Sequence, residues 1–316
     1  MSGPFAGLRV VLVAAFDRRY HRSGRALAAA LESLGCEVRR CEERTRGLDS
    51  LLRRPLMARL AAALRSPEDL VLVFKGAALE PERLAELRPR TTARWANWFP
   101  DDPHERGLSQ RLAPAYDSFF THDTSSLEHH RRAGARAYYL AFGCDPTYLH
   151  PPAPSSPRWR APLGFVGSRD PVRERVLQQL ADLGLATWGP GWPRGPVYGD
   201  AFVRALAGAT VGVNVHQQFG SGDAERYGTG ANMRVFELAG VGTPQLCDAK
   251  GDIARHFTPG REIVLYRSVP ELRDHARQLL GDEAARRSLA AAARERALRE
   301  HTWTHRLEEL LSVALR

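Results

Sequence analysis

The sequence predicts an α/β protein built from two doubly wound, Rossmann-like domains. Three observations lead there. Strand and helix signals alternate from residue 8 to residue 141, a proline-dense stretch interrupts them at His150–Pro162, and the alternation then restarts. Such alternation builds parallel sheets with helices on both faces and right-handed crossovers. At 316 residues, 43% of them hydrophobic, the chain has the length of two domains and the apolar material for a core in each.

Taken in order, Leu8–Ala15 is an apolar run suited to a strand buried on both faces. Gly24–Leu34 has helical spacing and stops at Gly35. Glu37–Cys41 reads as a short strand, Leu51–Arg65 as a helix, Leu70–Phe74 as a third strand and Pro81–Leu87 as a short helix. Arg94–Phe99 is a strand that runs into the turn Pro100-Asp101-Asp102-Pro103; strand Ser118–His122, helix Ser125–Ala133 and strand Ala137–Ala141 follow. Residues 151–162 are too rich in proline for a helix or central strand and read as a linker. Beyond it come strand Leu163–Val166, helix Val172–Leu183 closed by Gly184, strand Ala186–Trp188, helix Asp200–Ala207 and strand Thr210–Val215. A glycine-rich loop at 216–230 opens helix Ala231–Ala239; strands Thr243–Asp248 and Ile263–Tyr266 and helices Pro270–Leu280 and Glu283–Leu315 complete the chain, the last broken near His301–Trp303. The expected domains are 1–150 and 163–290, with a helical tail at 291–316.

Charge and cysteine usage narrow the function classes. The net charge is +9 and the basic side is almost all arginine, with lysine only at Lys75 and Lys250. Arginine suits phosphate because its planar fork donates in pairs. The excess fits an anionic small ligand, nucleic acid, or the codon bias of a GC-rich genome. The arginines are dispersed rather than gathered in one run, and no nucleic-acid module is recognisable, which weighs against nucleic acid. None of Cys36, Cys41, Cys144 and Cys247 has C-x-x-C spacing, so reduced thiols in a cytoplasm are expected. No run of about 18 uncharged apolar residues suggests a membrane span, and the N-terminal apolar run reads as a strand rather than a leader.

The densest signal lies at residues 214–248. A strand enters a loop carrying Gly220, Gly222, Gly228 and Gly230, and the loop opens a helix. Backbone N–H groups at a helix N-terminus attract phosphate, and glycines let it approach closely. Arg234 adds a formal charge one turn in, Asn232 can cap the helix or reach a ligand, and Glu237 shares a face with Arg234. A carboxylate there can accept from two adjacent ribose hydroxyls. His216 follows the strand and borders the same loop.

Asn232-x-Arg234-x-Phe236-Glu237, Gly242-Thr243, Asp248 and Gly260-x-Glu262-Ile263 together resemble the C-terminal signature of CgeB-like (spore-maturation type) glycosyltransferases, within the group-one GT-B glycosyltransferases. The likeness extends back to Gly143-x-Asp145, Pro151 and Phe165-Val166-Gly167-Ser168, and forward to His301-Thr302-Trp303-x-x-Arg306. The resemblance implies a two-domain enzyme whose active site lies in the interdomain cleft, with the nucleotide-sugar donor mainly on the second domain and the acceptor on the first. It also implies that the final helix crosses back to the first domain. Glu237 matches the ribose-binding glutamate; Asn232 and Arg234 match positions near the donor diphosphate, beside Gly230 and Thr229; Gly167 matches the first tight turn of the donor domain. Many retaining relatives carry a second glutamate eight residues before the ribose-binding one, and here that position is Thr229. Asp223 and Glu225 are out of register.

The first domain offers Trp95, Trp98, Asp101, Asp102, Pro103 and His104. Aromatic rings beside carboxylates suit a sugar, and Asp101, Asp102 or His104 is expected to serve as the general base for an acceptor hydroxyl. Trp98, His122, Asp123 and Asp17 are expected on the acceptor side. His122-Asp123 also reads as a helix cap, and His129-His130 as a solvated face. No metal and no cofactor are expected, the nucleotide-diphosphate sugar being a substrate. The rival readings are a non-catalytic nucleotide-sugar binder, an arginine-rich nucleic-acid-binding protein and a nucleotide-sugar epimerase.

Overall fold

The computed structural model describes residues 3–16, 23–44, 56–64, 67–152, 156–217, 219 and 227–316. Asp17, residues 51–55 and most of the glycine-rich loop, including Gly220, Gly222, Asp223 and Glu225, lie outside the described residues. The chain divides into two compact units, Met1–Ala141 with Trp303–Arg316, and Phe142–Thr302.

The first unit holds β1 (Arg9–Ala14), β2 (Glu37–Glu42), β3 (Leu70–Phe74), β4 (Arg94–Phe99), β5 (Ser118–Thr121) and β6 (Ala137–Tyr139). They form one parallel sheet in the order β2-β1-β3-β4-β5-β6. The pattern of β3, LVLVF, explains its central place: all five side chains are buried, as a strand covered on both faces requires. β2 sits at the edge and leaves both Arg39 and Arg40 exposed. Helices α1 (Ser23–Ser33), α2 (Leu56–Ala63), α3 (Pro81–Leu87), α4 (Arg106–Leu112) and α5 (Thr124–Arg132) belong to this unit. One core gathers Val11, Val13, Leu60, Val71, Leu84, Trp95, Phe99 and Phe119.

The second unit holds β7 (Ala161–Val166), β8 (Leu185–Trp188), β9 (Ala209–Asn214), β10 (Gln245–Asp248) and β11 (Val264–Tyr266), all parallel, in the order β11-β10-β9-β7-β8. Its helices are α6 (Pro171–Gln178), α7 (Asp200–Ala207), α8 (Met233–Val241), α9 (Val269–Gly281) and α10 (Glu283–Glu300). The last helix, α11 (Trp303–Ala314), belongs to the first unit. α6 stops earlier than its apolar spacing suggests: the chain tightens into a 3₁₀ turn at Ala181–Leu183 before Gly184, at φ 73°, reverses it. The long terminal helix breaks at His301-Thr302, where the Cys144 N–H donates to the His301 carbonyl at 2.8 Å.

Both sheets reverse their strand order once, between β1 and β3 in the first unit and between β7 and β9 in the second. Open α/β sheets bind ligands outside the carboxyl ends of their strands at such reversals. No helix among the described residues is long and apolar enough to cross a membrane.

Candidate active site

In the second unit the expected residues gather at the reversal between β7 and β9. Asn232 is the N-cap of α8, its side chain accepting from the Val235 N–H at 3.3 Å. α8 therefore opens at Met233 rather than Ala231, with its first N–H groups lacking internal carbonyl partners. Arg234 donates from Nε to the Val166 carbonyl at 3.0 Å and from Nη1 to Glu237 Oε2, and its guanidinium lies 4.7 Å from the Phe202 ring centroid. The Arg234 and Glu237 side chains are 18% and 16% exposed, so the pair is sheltered but reachable.

A residue that sequence reasoning missed completes this arrangement. Arg173, on α6, donates from Nε to the Val215 carbonyl at 2.9 Å and from Nη1 to the Ser168 carbonyl and hydroxyl at 3.1 and 3.0 Å. The arginine after β7 thus reaches the end of β9, while Arg234, after β9, reaches the end of β7. The two guanidiniums cross over the strand reversal. Both are fastened through Nε and Nη1, and in each Nη2 makes no hydrogen bond among the described residues. Burial pulls the Arg173 pKa down and the nearby Arg234 charge pulls it further, against the opposing pull of Asp170. Asp170 itself is the N-cap of α6, accepting from Val172 and Arg173 N–H. Gly167 lies just past β7, its N–H donating to Trp188 O at 2.9 Å and its carbonyl accepting from Trp192 Nε1 at 3.0 Å.

Three other expected donor residues are engaged within the unit. His216 has both ring nitrogens occupied, Nδ1 by Asp248 Oδ1 at 2.7 Å and Nε2 by the Asn232 N–H at 3.2 Å; it supports the turn instead of reaching a ligand. Thr229 donates its hydroxyl to Asp252 Oδ2 at 2.9 Å, which brings a buried carboxylate beside the position that lacks a glutamate. Gly230 lies in the turn just ahead of the Asn232 cap and is partly exposed.

In the first unit the expected acceptor residues separate into two sets. Trp98 is 0% exposed, packed edge-on against Phe74 and Trp303 at 5.6 and 5.4 Å between centroids. It is a core residue and cannot stack on a sugar. Trp95, at 1%, is the same. Asp102 is also buried: Ser109 donates to it at 2.6 Å and His130 Nε2 lies 2.7 Å from its other oxygen. Burial alone would raise its carboxyl, but the bonds from His130, Ser109 and Thr121 outweigh this and hold it below the usual carboxylate range. Asp102 ties the β4 turn to α4 and α5 and is not a general base. His130, expected on a solvated face, is fully buried for this purpose. Asp123 caps α5, accepting from Ser125 N–H at 2.8 Å and Ser125 Oγ at 2.7 Å. His122 is 7% exposed at the end of β5, and burial lowers its pKa against the pull of Asp123, Asp102 and Asp101.

Asp101 and His104 remain reachable at the carboxyl end of β4. Lys75 lies beside Asp101, with Nζ 2.6 Å from that carboxylate and 2.8 Å from Glu105. It is the one non-glycine residue in the described chain with positive φ, at 72°. Such a conformation costs roughly 1–3 kcal/mol and is retained only where its surroundings enforce it.

Residues 169–312 match a family model described as glycosyl transferase-like. The match covers most of the second unit and most of the final helix, and it is to a glycosyltransferase domain. Solved structures agree in architecture. Sucrose-phosphate synthase from Thermosynechococcus elongatus is similar at TM-score 0.64 and 12% identity, over 96% of this chain and 98% of that one. Anabaena Alr3699/HepE in complex with UDP and glucose is similar at TM-score 0.62 and 13% identity, over 97% and 100%. An α-glucosyltransferase in complex with UDP and a 13-mer DNA containing an HMU base is similar at TM-score 0.72 and 10% identity, over 98% and 100%. At these identities the likeness is one of fold, and that fold is GT-B. No curated protein matches the chain.

Proposed function

We propose that the protein is a metal-independent, CgeB-like glycosyltransferase that takes its sugar from a nucleoside-diphosphate donor. The crossing of Arg173 and Arg234 over the strand reversal from which α8 opens carries this reading. Two fastened guanidiniums and the open N–H groups of a helix are the donors that a diphosphate needs. Glu237 lends its Oε2 to Arg234, and its Oε1 is left to accept from ribose hydroxyls. The UDP-bound relatives make a uridine nucleotide the first donor to test.

In the reaction an acceptor hydroxyl attacks the anomeric carbon. The bond from that carbon to the diphosphate oxygen breaks, the hydroxyl proton passes to a base, and the nucleoside diphosphate leaves. Arg173, Arg234 and the α8 terminus stabilise the charge that builds on the leaving group. Asp101 and His104 are the candidates for the base, since Asp102 and Asp123 are consumed inside the fold. Buried free thiols at all four cysteines suit a reducing, cytoplasmic setting.

A thermal-shift panel of nucleoside diphosphates and their sugars tests the reading, because a ligand bound at about 100 times its Kd stabilises by about 2.7 kcal/mol. UDP or a UDP-sugar is expected to raise Tm, and Glu237→Ala to abolish most of the rise. A panel with no effect from any nucleotide would remove the reading. Thr229 in place of a glutamate favours a second reading, a binder without turnover. Release of UDP from a UDP-sugar, with and without acceptor glycans, separates the two.

A further inference from the structure

The buried cluster behind α8 holds His216, Cys247 and Asp248 with their ligand atoms within 4.8 Å of one another. These residue types suit a metal, but their bonds are already committed. Burial pushes the Cys247 thiol well above its ordinary range, with Asp248 adding to the effect, so it is a thiol and not a thiolate. Its sulfur is met by Asn214 Nδ2 at 3.4 Å. Both the backbone N–H and the Nδ1 of His216 meet the same oxygen of Asp248, at 2.9 and 2.7 Å. Burial alone would raise the Asp248 carboxyl, but His216 and Lys250 outweigh it and hold the group ionised. An ionised carboxylate can only accept, so the ring proton sits on Nδ1 and the lone pair on Nε2. That lone pair faces the Asn232 N–H.

We propose that His216 is a positioning residue: through Nε2 it holds Asn232, and so the first turn of α8, where the following N–H groups can meet the donor diphosphate. This rests on the donor reading above and deepens it. Asn232 is gripped from three sides. His216 takes its N–H, Asn214 exchanges two side-chain amide bonds with it at 2.9 and 3.0 Å, and its own Oδ1 caps the helix. Asn214 is steadied in turn by the Tyr266 hydroxyl, which donates to its carbonyl at 2.8 Å. The Asn232 N–H is therefore spent inside the protein, and the phosphate-facing donors are those of Met233 and Arg234. Only an acceptor at Nε2 fits this scheme. A second proton there would set donor against donor and release the turn.

The test compares two full-length variants. His216→Phe keeps a ring and loses the acceptor; His216→Gln offers a carbonyl to Asn232 and an amide N–H to Asp248. Affinities for UDP and uridine are measured with each, beside Glu237→Ala. His216→Phe is expected to bind UDP about tenfold more weakly and uridine unchanged, since one hydrogen bond's worth of turn geometry acts only on the phosphates. His216→Gln is expected to recover most of the loss. If His216→Phe binds UDP as tightly as the unaltered protein while Glu237→Ala does not, the positioning role is wrong and the donor reading stands. If neither change affects UDP, both fall. Nitrogen-15 NMR of the unaltered protein gives a second, activity-free readout. A ring protonated at Nδ1 with a lone pair at Nε2 is expected, and a ring carrying a proton at Nε2 would overturn the proposal even if the variants fail to fold.

Discussion

A histidine buried beside carboxylates is a sensitive position in a protein. His122 is held below its ordinary pKa by burial, so the unfolded chain binds its proton first as pH falls. The stability it permits is complete above the ordinary histidine value of about 6.5 and is lost as pH drops toward the folded value. His122→Gln is therefore expected to flatten the fall in Tm between about pH 6.5 and 5, which a melting series on both proteins checks; parallel curves would contradict it. Asp102 acts in the same direction lower down. Its depressed carboxyl contributes stability above the ordinary aspartate value of about 3.9, lost below it. Asp102→Asn is expected to lower Tm at pH 7 and to weaken the acid dependence below about pH 4. At this scale the sequence was informative where residue types converge in a short span, as at Asn232, Arg234 and Glu237. It was silent on Arg173. Arg169, Arg173 and Arg175 look alike in sequence. Which one turns inward is decided by the Val215 carbonyl just past the end of β9. Trp98 and Asp102 misled for the complementary reason: sugar-binding residue types are equally good core and network residues when the fold closes over them.

At the scale of elements, the turns after β7 and β8 are locked together. Gly189 sits at φ 133°, and a Cβ there would lie 2.0 Å from the Gly167 carbonyl oxygen, which also accepts from Trp192. Gly189→Ala meets both a backbone clash and a conformation that side chains rarely adopt. It is expected to cost about 2 kcal/mol or more, and to weaken UDP binding because Val166 and Arg173 flank the turn that holds Gly167. Calorimetric melting and UDP titration of that variant check both effects, and an unaltered Tm would contradict the packing described. The strands were legible because parallel sheets demand continuous apolar runs. α4 was not: Gly107 lies in its first turn and Pro114 soon follows it. Its docking depends on Ser109 meeting Asp102, a pair that no periodicity encodes.

For the molecule as a whole, the first unit is discontinuous in sequence. α11 supplies Trp303, Leu307, Leu310 and Leu311 to it, packed on α1, β4 and β5. At about 1.5–3 kcal/mol for each buried large side chain, that is about 6 kcal/mol or more. This is comparable to the net stability of a whole domain. Residues 142–302 are expected to fold alone with a cooperative melt, whereas 1–141 without α11 is expected not to. Circular dichroism of both fragments checks this, and a cooperative melt of 1–141 would contradict it. The break at His301–Trp303 was visible in the sequence, but the division of the final helical run between two units depends on tertiary partners. The central claim, that the crossing arginines and the α8 terminus hold a donor diphosphate while Glu237 holds its ribose, is tested most directly by solving the structure with UDP bound. The account expects the phosphates within hydrogen-bond reach of Arg173, Arg234 and the Met233 N–H, with the ribose hydroxyls on Glu237. A nucleotide bound elsewhere, with Glu237 still closed on Arg234 and touching nothing, would contradict it.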